Sequence, residues 1–171
     1  MTRAGPYMLG RGGEISDLGG LALKAGATQT AGAVSVYEGV VPARTAGPPL
    51  HVHDGTDEAL YILEGEVTIR LGQQTIRAGA DSFVWMPRGV PHTFANLEGM
   101  PARMLGLAVP GGIEDLLAAV PRNGRPVDRA QMAALAQKFG SRTLGPPLPL
   151  DHTVADRAAS PKPTSPSHLE I

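Results

Sequence analysis

The sequence of 171 residues predicts an all-β protein, an antiparallel sandwich or barrel followed by short helices. Two observations support this fold class. From about residue 34 to residue 109, short segments alternate apolar and polar residues, as half-buried strands do, and glycine- or proline-containing turns separate them. After Val109 the apolar residues recur at helical spacing instead. Closure of the strands into a barrel would remove exposed strand edges.

The predicted strands follow one another at short, regular intervals. They are Val34–Val41, Ala59–Leu63, Glu66–Leu71, Gln74–Arg77, Ser82–Met86, His92–Asn96 and Ala102–Val109, with a further strand around His51 and His53. Hairpin turns are expected at Glu64–Gly65 and at Leu71–Gly72, since glycine accepts the backbone angles that such turns require.

Two helices are predicted after the strands. The first covers Ile113–Val120 and is ended by Pro121. The second begins at a capping box, Asp128–Gln131, and is expected to stop at Gly140. Its apolar positions have helical spacing and indicate a face that packs against the barrel or a partner subunit: Met132, Leu135, Ala136 and Phe139.

These patterns divide the chain into four segments. We expect an N-terminal arm at residues 1–28, the barrel at 29–110, a C-terminal helical extension at 111–145 and a Pro-rich tail with little order at 146–171. The tail carries His152 and His168, for which no chemical role is expected.

Composition excludes several classes of function. The chain has no cysteine, so disulfide frameworks and thiolate metal sites are excluded. Its formal net charge is −1 and its basic residues are dispersed, which argues against nucleic-acid binding. No apolar run has the length of a membrane span or a signal peptide, so a cytoplasmic protein without membrane contact is the expectation.

Four residues have the donor types and spacing of a metal site. His51 and His53 are two apart, so an extended strand directs both imidazoles to one face. Glu58 and His92 would add a carboxylate and a third imidazole from other strands. Neutral imidazoles with one carboxylate form a donor set suited to divalent first-row metals.

The spacing H-x-H-x4-E-x6-G, followed by P-x-G-x2-H-x3-N, resembles the two motifs of the cupin superfamily. The resemblance implies a cupin-type antiparallel β-barrel, also called a double-stranded β-helix or jelly roll. It also implies that His51, His53, Glu58 and His92 bind one divalent transition metal per chain, which could be Fe, Mn, Ni, Co, Cu or Zn. A single H-x-H indicates a single barrel.

Two positions depart from the pattern of that superfamily. Thr45 and Asp81 stand where glycines usually occur. Because Gly47 and Gly79 lie two residues away, we expect them to serve the two turns.

The four ligands would leave coordination positions open, which favours catalysis. The chain also resembles quercetin 2,3-dioxygenase-like cupins, which implies a small-molecule substrate, dioxygen as a candidate co-substrate, and Glu58 as the catalytic base. Strand parity places Leu60, Ile62 and Phe94 on the faces of the metal ligands, as candidates for the wall of a substrate pocket or as barrel filling. A homodimer is expected, paired through the outer sheet or the N-terminal arm.

Two other functions use the same fold. A metal-dependent lyase, isomerase or decarboxylase would need the four ligands but no dioxygen. A non-catalytic cupin would bind a small ligand without turnover, but the complete ligand set argues against it.

Overall fold

The computed structural model describes residues 5–18, 20–120 and 129–151, and it is built mainly from β-strands. Asp128 of the predicted capping box, His152, His168 and most of the predicted tail lie outside these residues. In chain order the elements are β1 (Ser16–Asp17), β2 (Leu21–Ala25), α1 (Ala27–Thr30), β3 (Ser35–Val41), β4 (Thr45–Ala46), β5 (Leu50–His53), β6 (Asp57–Glu64), β7 (Glu66–Leu71), β8 (Gln74–Gly79), β9 (Phe83–Met86), β10 (His92–Asn96), β11 (Ala102–Val109), α2 (Glu114–Ala119), α3 (Arg129–Lys138) and β12 (Ser141–Gly145).

The strands form two six-stranded sheets whose neighbours pair antiparallel. The first sheet has the order β1-β2-β3-β11-β6-β9. The second has the order β12-β5-β10-β7-β8, with β4 also paired to β10. The predicted fold class, an all-β antiparallel barrel with short C-terminal helices, is confirmed.

Both sheets contain strands from outside the segment predicted as the barrel. β1 and β2 come from the predicted arm, and β2 pairs with β3 of the same chain. β12 comes from the predicted helical extension and pairs with β5. Leu148, at the start of the predicted tail, is only 4% exposed. Packed structure therefore extends on both sides of residues 29–110.

The main core lies between the two sheets. It is made of apolar side chains that alternate inward along the strands, as the period-two pattern predicts. Its buried members are Val41, Leu60, Ile62, Val67, Ile69, Leu71, Ala78, Val84, Met86, Ala102 and Met104.

A second apolar cluster joins the C-terminal helices to the first sheet. Tyr37, Ala108, Ile113 and Leu116 are its buried members. Leu21, Leu117, Met132, Leu135 and Phe139 pack against them. The predicted apolar face of the second helix is therefore a packing face against the barrel. Within the described helices, none is long and apolar enough to cross a membrane.

One of the two predicted hairpins is wrong. The turn after Leu71 joins the paired strands β7 and β8, as expected. At Gly65, however, β6 pairs with β9 and β11 while β7 pairs with β8 and β10, so the chain passes from one sheet to the other. A Cβ on Gly65 would lie 2.7 Å from the carbonyl oxygen of Pro101, and its φ is +75°. The glycine is required by this close crossing, not by a hairpin.

The two departures from the glycine pattern have different structural solutions. Asp81 itself takes the left-handed conformation, with φ +65°, so the turn does not rely on Gly79. Aspartate tolerates this region better than most residues do. Thr45 lies in the short strand β4, and Gly47 next to it does serve a close approach: a Cβ there would lie 2.2 Å from the carbonyl oxygen of Phe94.

Asn96 closes the loop between β10 and β11. Its side-chain amide donates to the carbonyl oxygens of Val41 at 3.0 Å and Met100 at 2.8 Å. Its Oδ1 accepts from the backbone N–H of Glu98 at 2.9 Å. The side chain is fully buried, so these three backbone groups depend on it for their hydrogen bonds.

We therefore expect Asn96→Ala to lower the free energy of unfolding by about 2 to 4 kcal/mol, because it removes three hydrogen bonds, of which the one to Val41 is buried. Urea denaturation would measure the loss. Gln73→Ala, in the exposed turn between β7 and β8, is the control and should change little. Equal stability of the Asn96 variant and the control would contradict this role.

Candidate metal centre

Four side chains from three strands converge at one end of the space between the sheets. β5 supplies His51 and His53, and β10 supplies His92 directly opposite His51. Glu58 comes from β6 in the other sheet. One potential ligand atom from each of the four residues lies within 4.8 Å of the others. The structure thus brings together the four residues that the spacing singles out.

The cluster is compact and largely closed to solvent. The Nε2 atom of His92 lies 2.9 Å from Oε2 of Glu58, and Nε2 of His53 lies 3.7 Å from the same oxygen. The ring centroids of His51 and His92 are 4.4 Å apart. His53, Glu58 and His92 are buried, whereas His51 is half-buried, so solvent reaches the cluster from the side of His51.

Backbone carbonyls orient two of the imidazoles. Nδ1 of His51 is 2.8 Å from the carbonyl oxygen of Pro49, and Nδ1 of His92 is 3.0 Å from that of Val90. A carbonyl can only accept, so both Nδ1 atoms carry the proton in these contacts. In the neutral rings the Nε2 lone pairs are then left for the cluster, as in metal-binding histidines.

The donor chemistry of the cluster fits a metal ion. Nδ1 of His53 is buried and has no hydrogen-bond partner among the described residues, so no contact fixes which nitrogen of this ring carries the proton. Three imidazoles and a carboxylate at this spacing match the donors that divalent transition metals accept. The buried cluster could therefore bind one metal ion.

Charge within the cluster is shared between Glu58 and His92. Burial opposes the charged form of each, but their mutual hydrogen bond outweighs it and lowers the pKa of Glu58 while raising that of His92. Burial, reinforced by the charge of His92, lowers the pKa of His51 to about 4, and burial also lowers the pKa of His53. In the metal-free cluster Glu58 and His92 therefore favour an ion pair, whereas His51 and His53 favour the neutral form. The raised pKa of His92 opposes metal binding, because a metal needs the neutral ring.

The P-x-G turn before His92 is fixed to the strands of the other ligands. The backbone N–H of Gly89 donates to the carbonyl oxygen of His53 at 2.8 Å. Arg88 binds both carboxylate oxygens of Asp57, with Nε at 3.1 Å and Nη2 at 2.6 Å. This hydrogen bonding lowers the pKa of the Asp57 carboxyl. Asp57 directly precedes Glu58 in β6. The ion pair therefore connects the turn before His92 to the strand that carries Glu58.

Strand β12 covers the outer edge of β5, and sequence reasoning missed it. It pairs with β5 from Gly145 opposite Leu50 to Ser141 opposite His53. Arg142 also binds both oxygens of Asp54, at 3.1 and 2.9 Å. The residues of β12 are exposed or half-buried and lack a buried alternate face, so no period-two signal marked the strand.

Tyr37 is a second residue that sequence reasoning did not connect with the site. It lies within the predicted strand Val34–Val41, whose pattern gives no sign of a role at the site. Its hydroxyl lies 3.5 Å from Oε1 of Glu58, and both side chains are buried. The two residues are far apart in sequence and on strands separated by β11, so no local pattern reveals the contact.

The three candidate pocket residues lie in or against the main core. Leu60 is 2% exposed and Ile62 is fully buried, while Phe94 is half-buried and packs against them as part of the same cluster. They fill the barrel, and their contact with a substrate stays a prediction.

Comparison with known proteins identifies the segment that carries the cluster. Residues 38–109 match the model of the Cupin_2 family, described as a cupin domain. This segment is a cupin domain. A solved structure from Thermotoga maritima, named a predicted oxalate decarboxylase, has the same fold, with a TM-score of 0.50 at 19% identity over 53% of this chain and 78% of that one.

Two relatives are similar in sequence to the cupin domain. Quercetin 2,3-dioxygenase of Bacillus subtilis (strain 168) is 25% identical over 83 residues, 48% of this chain and 23% of that protein. Tetracenomycin polyketide synthase protein TcmJ of Streptomyces glaucescens is 31% identical over 55 residues, 32% of this chain and 37% of that protein. The matched segments thus span well under two thirds of either relative.

Removal of a histidine should weaken metal binding. We expect protein purified after growth with divalent metals to hold one metal per chain, and His51→Ala and His92→Ala to hold much less, because each loses one of four donors. Elemental analysis by mass spectrometry is the measurement. Metal contents in both variants equal to that of the unchanged protein would show that these imidazoles are not ligands.

Proposed function

We propose that this protein is a metal-dependent dioxygenase that cleaves a small enolisable compound, such as a flavonol. The observation that carries the proposal is the buried cluster of three imidazoles and one carboxylate, a donor set that leaves coordination positions open for a reaction. The similarity to quercetin 2,3-dioxygenase of Bacillus subtilis supports this class of chemistry.

The metal would be held by His51, His53, Glu58 and His92. When bound, it would supply Lewis acidity and, if it is redox-active, one-electron chemistry. Fe, Mn, Ni, Co, Cu and Zn all accept these donors, and geometry and metal supply decide between them.

Glu58 is the proposed general base. It is buried and its pKa is lowered by the hydrogen bond to His92, which outweighs the effect of burial, so its carboxylate is ionised at neutral pH and able to accept a proton. Among the described residues, Glu58 is the only acidic member of the cluster. Proton removal from a substrate hydroxyl would give the electron-rich enolate that reacts with dioxygen.

We propose that a flat, apolar substrate enters from the side of His51. The half-buried His51 marks the exposed part of the cluster. Phe94 lies two residues after His92 on the same strand and is also half-buried. Leu60 and Ile62 lie on the same face of β6 as Glu58 and belong to the core. We propose that Phe94 contacts the substrate and that Leu60 and Ile62 form the floor beneath it.

We also propose that the protein is a homodimer paired through the outer face of the first sheet. Phe83 is 60% exposed and Trp85 is 46% exposed, and both lie on β9 at the edge of that sheet. Large aromatic side chains on an open strand edge favour association. The N-terminal arm is less suited to this role, because its strands β1 and β2 extend the chain's own sheet.

Light scattering at micromolar concentration should give twice the mass of the chain. The double variant Phe83→Glu with Trp85→Glu should be monomeric, because it places charges in the proposed interface. Met100→Glu, at an exposed methionine outside β9, is the control and should remain dimeric. A monomeric mass for the unchanged protein would refute the dimer.

Glu58→Gln tests the chemistry. We expect it to retain metal through the three imidazoles and to lose turnover by about 100-fold or more, the usual size of a general-base contribution. An oxygen electrode would measure uptake by protein loaded separately with Fe, Mn, Ni, Co or Cu, against flavonols and 1,3-dicarbonyl compounds. Glu64→Gln is the matched control, because Glu64 ends the same strand but is exposed and pairs with Arg103.

Two outcomes would replace the proposal. Substrate loss that continues without oxygen would assign the protein to the lyases, isomerases or decarboxylases, which need the same four ligands. Ligand binding without turnover under any metal would assign it to the non-catalytic cupins.

A further inference from the structure

We propose that Tyr37 is a positioning residue for Glu58: its hydroxyl donates a hydrogen bond to Oε1 and so directs Oε2 towards the histidines. This inference rests on the proposed metal site. It concerns how the carboxylate ligand is oriented, and it can be measured without a substrate.

The path from Tyr37 to Glu58 crosses the strand between them. Tyr37 on β3 is paired with Gly106 on β11, and Gly106 is paired in turn with Leu60 on β6. A Cβ on Gly106 would lie 2.2 Å from Cε2 and 2.4 Å from Cζ of the tyrosine ring. The ring therefore occupies the space that any side chain at residue 106 would need. Only glycine there lets the phenol extend over β11 towards β6.

The two oxygens of Glu58 have different surroundings. Oε2 faces the histidines, 2.9 Å from Nε2 of His92 and 3.7 Å from Nε2 of His53. Oε1 faces the Tyr37 hydroxyl at 3.5 Å, which is longer than a usual O–H···O hydrogen bond and makes this a weak one. Both residues are 6% exposed, so bulk water does not compete freely for this contact. A donor on Oε1 favours ligation through the other oxygen alone.

Packing holds the tyrosine ring in place. Tyr37 belongs to the second apolar cluster, where Ile113 and Leu116 are buried with it and Phe139 packs against them. The ring is therefore restrained by the C-terminal helices before it meets Glu58, and little rotamer entropy is left to lose when the hydrogen bond forms. Partners of this kind, which bind a ligand and not the metal, usually affect metal affinity strongly.

Tyr37→Phe is the direct test, because it removes the hydroxyl and keeps the ring that the cluster packs around. Titration with Co(II) alone should still reach one ion per chain, with an affinity about 10- to 100-fold lower, the usual effect of losing such a partner. The visible absorption bands of the bound Co(II) should shift, because the carboxylate is no longer held in one orientation. The thermal unfolding midpoint of the metal-free protein should change little.

The chain offers a matched control and a second variant. Tyr61 also donates its hydroxyl to a carboxylate, Oδ1 of Asp81 at 3.1 Å, but this pair is exposed, so Tyr61→Phe should leave Co(II) affinity and spectrum unchanged. Gly106→Ala keeps the Tyr37 hydroxyl but displaces its ring, and it should shift the Co(II) bands as Tyr37→Phe does.

The outcomes separate this inference from the proposed function. Co(II) binding by the unchanged protein, with Tyr37→Phe identical to it in affinity and spectrum, would overturn the role of Tyr37 and leave the metal site intact. Failure of the unchanged protein to bind Co(II) would overturn the metal site and this inference together.

Discussion

The contact between Glu58 and His92 joins the two sheets at the point where the site lies. Each residue comes from a different sheet, and the atoms that meet, Oε2 and Nε2, are 2.9 Å apart and almost fully buried. A buried carboxylate or imidazolium without a partner would be costly, so each depends on the other in the metal-free protein. A slip of one residue in the pairing of β6 or of β10 would turn Glu58 or His92 to the outside. The register of both strands must therefore be correct.

The surrounding contacts fix that register at several points. The pairing of Asp57 with Arg88 and the bond from Gly89 to His53 hold the turn before His92. The carbonyl of Val90 then sets the orientation of the His92 ring. None of these contacts uses a candidate ligand atom. Each of them, however, restricts the backbone or the ring of a residue that supplies one. A metal would thus meet donors that are already oriented, which lowers the ordering cost of binding.

Local patterns in the sequence predicted most of the strands, and the four residues that the spacing singles out lie together in the structure. The period-two alternation gave β7, β10 and β11 with their observed bounds, because a strand buried on one face has little freedom in its sequence. The hairpin predicted at Gly65 was wrong because a glycine with positive φ is equally suited to a crossing between sheets. An alternating pattern of apolar and polar residues predicts a strand but not which strand pairs with it. Pairing depends on contacts between residues that are distant in sequence.

The parts of the site that were missed lie outside the segment that matches the cupin domain. The four site residues lie within residues 38–109, which match the cupin domain. Tyr37 immediately precedes that segment, and β12, which covers the strand of His51 and His53, follows it by more than thirty residues in the printed sequence. The motif therefore specifies which atoms converge and much of their orientation, whereas Tyr37 and β12 add contacts from outside it. A chain could hold all four donors and still differ in metal affinity, because the proposed hydrogen bond from Tyr37 to Glu58 comes from outside the segment that matches the cupin domain.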